Sequence, residues 1–69
     1  MSDAETLSLL RQTHGPCLEQ TLISHGSGCQ QAVAKQIEML KTSYEAKAIH
    51  WHTCPPGTAS ATLFLRRRQ

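Results

Sequence analysis

Val33, Ile37, Leu40 and Tyr44 recur at spacings of 4, 3 and 4 residues. This is the period of one helix face, and it is the longest periodic signal in the chain. Ala, Gln and Lys fill the positions between them, in agreement with helix propensity. The stripe predicts a helix over about residues 28–44, opened by Ser27-Gly28. After it the period changes. Residues 48–53 carry Ile49, Trp51 and Thr53 and favour a strand. Residues 55–60, Pro-Pro-Gly-Thr-Ala-Ser, form a loop, and residues 61–66 form a second strand. The C-terminal half is thereby limited to a long helix that leads into a β-hairpin.

The N-terminal part must supply what packs on that unit. Ser2-Asp3-Ala4-Glu5 fits a capping box, in which Ser2 caps a helix and Glu5 reaches back to the cap. Leu7 and Leu10 share a face, and Gly15-Pro16 ends the helix, so the first helix is expected over about residues 3–14. Residues 18–25 offer room for two further helical turns, with Gly26 as a left-handed residue behind them. The predicted fold class is α+β: three helices followed by a β-hairpin, in one domain spanning residues 1–69. Its expected core is Leu7, Leu10, Leu18, Leu22, Val33, Ile37, Leu40, Ile49 or Trp51, and Leu63 or Leu65.

With 69 residues, a single domain buries only about 60% of its unfolded surface, so its core is small. No apolar run approaches the roughly 18 residues that span a bilayer. The acidic N-terminus lacks the apolar segment of a signal peptide. A cytoplasmic protein without membrane association is therefore expected, with Cys17, Cys29 and Cys54 as thiols. The net charge is +2, and the chain carries Arg66-Arg67-Arg68 near its end, with no acid after Glu45.

Helix, short helix, long helix and hairpin is the order of a winged helix-turn-helix domain. From Leu7 to Leu65 the chain resembles small bacterial or phage winged helices. The spacing of Leu10, Gly15-Pro16, Leu18, Leu22-Ile23, Val33, Ile37 and Leu40 matches their apolar pattern. The resemblance implies a small transcriptional regulator that binds double-stranded DNA, expected as a homodimer. In such proteins the second helix of the motif enters the major groove. The resemblance therefore implies DNA contacts from Ser27, Gln30, Gln31 and Lys35, and from Arg66, Arg67 and Arg68 at the wing exit. The same architecture also serves protein-binding modules, so a protein partner or inhibitor role is the alternative, and a metal- or redox-responsive regulator is a third reading.

That third reading comes from the histidines and cysteines, which make up 4 and 3 of the residues. They fall into three groups: His14 with Cys17, His25 with Cys29, and His50 and His52 with Cys54. On a strand, His50, His52 and Cys54 share one face. Residues two apart lie about 6.5–7 Å apart, so all three cannot easily meet one ion. A His pair plus one donor from elsewhere makes a more realistic site. The size and element order also resemble the small winged-helix proteins of ferrous-iron transport operons, which cluster several cysteines in the wing. This chain departs from them in having only Cys54 there. Without any CxxC pair, the favoured expectation is no cofactor or metal, with His50 and His52 facing solvent or DNA and Trp51 packing on the long helix. Chelators are then expected to leave thermal unfolding unchanged. Neither a nucleotide-binding glycine loop nor an evident Cys–His pair points to an enzyme.

Overall fold

The computed structural model describes residues 2–68. Its elements are α1 (Asp3–His14), β1 (Leu18–His25), α2 (Cys29–Leu40), β2 (Tyr44–Trp51) and β3 (Thr58–Arg67). The three strands form one antiparallel sheet in the order β1-β3-β2. Two helices and a three-stranded sheet replace the expected three helices and hairpin. The fold remains α+β, but it is not a winged helix-turn-helix.

The error lies at residues 18–25. This segment pairs along its whole length with β3, from Leu18 opposite Leu65 to His25 opposite Thr58. Its Glu, Gln and Leu content suits a helix, and its two β-branched residues, Thr21 and Ile23, suit a strand. Pairing with a central strand outweighs local preference in so short a piece. The long helix is also shorter than its stripe suggested. It stops at Leu40, and Tyr44 opens β2 instead of closing the helix. The hairpin itself is present: β2 and β3 pair from Tyr44–Arg67 to Trp51–Ala61, with a bulge between Ala46 and Ala48. The Pro55-Pro56-Gly57 turn joins them, and Gly57 takes the left-handed conformation at φ 83°.

Because successive strand residues point to opposite faces, the sheet has two distinct sides. One side turns Leu22, Ala59, Ala61, Leu63 and Leu65 toward Val33 and Ile37 of α2, forming the main core. Cys29, Leu40, Tyr44 and Ala46 close its margins. The other side carries Thr62 and Phe64 of β3 and His50 of β2, and α1 lies over it. His14 of α1 sits against Phe64, with ring centroids 6.5 Å apart. The inward stripe of α1 is Asp3, Leu7, Leu10 and His14, each partly buried, and no residue of this helix is fully buried.

The overall extents, 35 × 30 × 10 Å, follow from this layering. Three strands span two interstrand spacings of about 4.8 Å, which is the short dimension. Helix, sheet and helix stacked about 10 Å apart give the middle one. The core is therefore a thin slab, and β3 is buried on both faces from Ala59 to Leu65. Among the expected core residues, Leu22, Val33, Ile37, Leu63 and Leu65 are buried, whereas Leu18, Ile49 and Trp51 are exposed. Among the described residues, no helix is long and apolar enough to cross a membrane.

Candidate metal centre

The face under α1 gathers the one group of metal-ligand side chains found among the described residues: Asp3, His50 and His52. Each element contributes for a local reason. His50 lies on β2 opposite Thr62. His52 lies just beyond the strand end, but its N–H still donates to the Ser60 carbonyl at 2.9 Å, which keeps it in the ladder. Two residues apart, both side chains point to the α1 side, and their rings meet edge to face with centroids 5.0 Å apart.

Asp3 arrives from the first turn of α1. The turn is anchored by Ser2, whose Oγ accepts from the Glu5 N–H at 3.2 Å while its hydroxyl donates to Glu5 Oε1 at 3.1 Å. The expected Ser2 cap thus forms, but the Glu5 carboxylate engages the Ser2 hydroxyl where a full capping box has it accept from the cap N–H. Asp3 Oδ1 lies 2.8 Å from His50 Nε2, and Asp3 Oδ2 accepts from the Thr53 N–H at 3.2 Å. The His50 hydrogen bond first, and then the Thr53 N–H, hold the Asp3 carboxyl below its ordinary value of 3.8. Asp3 is therefore a carboxylate at neutral pH, and His50 donates to it from Nε2.

Behind the site, His52 Nε2 lies 2.6 Å from Thr62 Oγ1, which in turn lies 2.9 Å from Thr21 Oγ1. Thr62 is buried, so this chain of hydroxyls fixes the His52 ring from the sheet interior. One ligand atom from each of Asp3, His50 and His52 lies within 4.8 Å of the others. Tetrahedral donors at about 2.0–2.1 Å from a zinc ion lie roughly 3.3 Å apart. The Asp3–His50 pair, at 2.8 Å, already lies inside that separation.

The other sequence groupings do not converge. The Cys17 thiol donates to the His14 carbonyl at 3.6 Å. His25 Nδ1 lies 3.4 Å from Thr58 Oγ1. Cys54 lines a shallow groove with Gln30, Trp51 and His52, but it is not among the donors that group with Asp3 and His50. His50 and His52 are partly buried under α1 and do not face solvent as expected, and Asp3 is the partner that sequence reasoning did not name.

The residues expected to face DNA are divided between two ends of the slab. Ser27, Gln30 and Gln31 are exposed at the start of α2, with Gln30 beside Ala59 and Ser60, and Lys35 is exposed one turn further on. Arg66, Arg67 and Arg68 lie at the far end of β3, about 23 Å of strand away. Arg66 and Arg67 point to opposite faces, and Arg68 Nε donates to the Lys41 carbonyl at 2.9 Å. With β1 in place of the second helix, α2 is not the recognition helix of a helix-turn-helix.

Both ends of α1 are tied by carboxylates. At the far end, Arg11 makes a two-point contact with Glu19 at 2.8 and 2.9 Å, which holds the Glu19 carboxyl below its ordinary 4.5. A carboxyl whose folded pKa is lowered contributes stability above its unfolded pKa and loses it as pH falls through the folded value. Both contacts are therefore complete above about pH 4.5 and fade below it. Protection of α1 amides, measured against their intrinsic exchange rates, is expected to fall below that pH before protection in β3 does. The Asp3→Asn, Glu19→Gln double variant should show little further change in acid, and an equal acid response in wild type and variant rejects these contacts as the cause.

No known protein family, curated protein or solved structure matches this chain.

Proposed function

We propose that this chain is a small metal-binding protein, in which Asp3, His50 and His52 hold a divalent ion of the zinc class and the ion fastens α1 to β2. The observation that carries this reading is the approach of three donors from two elements to within 4.8 Å of one another. Two imidazoles and a carboxylate suit zinc and neighbouring divalent first-row metals, and the absence of a thiolate from the donor set disfavours copper(I). The hydrogen bond from His50 to Asp3 has a proton where the ion would sit, so binding displaces it and weakens as pH falls. The buried Thr62 hydroxyl engages the His52 ring at Nε2 and orients it from behind. Three protein donors leave a fourth position for water or for a group from another molecule. The free thiols of Cys17, Cys29 and Cys54 fit a reducing cytoplasmic setting.

Cobalt(II) titration followed in the visible range, with zinc as competitor, tests the site. One equivalent is expected to bind. His50→Ala and His52→Ala are each expected to weaken binding by about 100-fold, at or beyond the upper end seen for loss of a supporting group. Binding that survives removal of both histidines rejects the site.

A further inference from the structure

We propose that the free edge of β1 pairs antiparallel with β1 of a second copy of this chain, giving a continuous six-stranded sheet about a two-fold axis through Leu22. The ladder shows which groups are available. Gly26 N–H donates to the Gly57 carbonyl at 2.8 Å, and the register continues this pair into Ser24–Ala59, Leu22–Ala61 and Gln20–Leu63. Backbone hydrogen bonds alternate along a strand, so Leu18, Gln20, Leu22 and Ser24 bond to β3. On its other side β3 bonds through Ser60, where the His52 N–H donates, in the complementary alternation. The N–H and C=O groups of Glu19, Thr21, Ile23 and His25 consequently point out from the sheet.

The two sheet edges differ. β2 carries the bulge between Ala46 and Ala48, with Lys47 inside it and paired to Glu45 at 2.8 Å. A bulge and an edge lysine are devices that discourage strand addition. β1 has neither, nor any proline, over eight continuously paired residues.

The sequence of β1 is complementary to itself in one register. A two-fold axis at Leu22 sets Glu19 opposite His25, Thr21 opposite Ile23, and Gln20 opposite Ser24. The acid meets the imidazole, the β-branched residues meet each other, and all four outward-pointing residues find partners. A slip of one residue would set the α1-side residues of one copy against the α2-side residues of the other. A slip of two leaves an end unpaired and breaks the Glu19–His25 match. Exposed apolar side chains flank the edge on both faces: Ile23, 59% exposed, on the α1 side, and Met39, 67% exposed, on the α2 side beside Leu22 and Leu40. In the pair, each α2 extends the helical layer of the other. The outer edges are then both β2, and association ends at two copies.

Sedimentation equilibrium of the full chain, with chelator present, from low micromolar to about 1 mM, tests the proposal. The mass is expected to rise from 7.6 kDa to twice that value. Ile23→Lys, a change at an exposed position, should hold the chain monomeric with unchanged circular dichroism. His25→Glu, which sets a carboxylate opposite Glu19, should weaken the dimer by about tenfold or more, whereas His25→Lys, which leaves Glu19 and its Arg11 contact intact, should keep it, and the contrast reads out the register. A wild-type chain that stays monomeric at 1 mM, or associates only with metal, overturns the proposal. So does a folded Ile23→Lys protein that dimerises as wild type does. If Ile23→Lys fails to fold, the two His25 variants decide alone.

Discussion

Phe64→Ala is expected to destabilise the protein by about 3–5 kcal/mol. The side chain is 1% exposed and is among the largest fully buried groups in the molecule. It stands on the opposite face of β3 from Leu63 and Leu65 and faces the helix that has no fully buried residue of its own. Two reasons place the cost toward the upper end. β3 is hydrogen-bonded to a strand on each side, so its backbone cannot move into the space left by the ring. In addition, α1 is anchored at both ends, which resists collapse from above. Total stability of a small domain is about 5–15 kcal/mol, so the change removes a large part of it. The loss should appear as earlier urea unfolding and, under native conditions, as faster amide exchange in α1 than in α2. Leu40→Ala serves as the comparison, because Leu40 only borders the core and should cost less. A Phe64→Ala loss below about 1 kcal/mol would show that α1 does not cover this face.

Zinc at about 100 times its dissociation constant is expected to add about 2.7 kcal/mol of stability, because the ion binds the folded site and not the dispersed ligands. In a domain of this size that corresponds to a rise of roughly 10–20 °C in melting temperature. The gain should be reversed by chelator and absent from the His50→Ala, His52→Ala double variant. It should also slow exchange in α1 first, since the ion ties that helix to the sheet. This outcome is the reverse of the chelator-independent unfolding expected from the cysteine pattern. The difference comes from Asp3, which lies 47 residues before His50 and carries no local sign of its role. An equal melting temperature with and without zinc would reject the metal reading, whatever the state of the β1 edge.

Much of the architecture was legible where sequence neighbours are also structural neighbours. Ser2 and Glu5 announced α1 at its observed bounds, the Val33–Ile37 spacing announced α2, and Pro55-Pro56-Gly57 announced the turn of the hairpin. β1 was not legible because only Leu22 of its eight residues is buried. An edge strand that buries a single side chain leaves almost no alternation to read. Phe64 and Thr62 were not legible for the opposite reason. A strand covered on both faces, as β3 is from Ala59 to Leu65, leaves no alternation to separate an inner face from an outer one. Within the site, the pairing of His50 and His52 on one strand face was legible, and so was the need for a donor from elsewhere. Which residue supplied that donor depends on how α1 crosses the sheet.

The strand order sets the distances over which the chain must close on itself. β2 and β3 meet first across 10 residues, from Trp51 to Ala61, whereas the nearest β1–β3 pair, His25 with Thr58, closes 33. Loop-closure entropy makes the longer closure costlier by about 1 kcal/mol before any contact rewards it. The hairpin is thus the local half of the topology and β1 the long-range half, and non-local strand pairing of this kind slows folding. Until β1 arrives, β3 has one side unpaired, an open ladder of N–H and C=O groups at the centre of the future sheet.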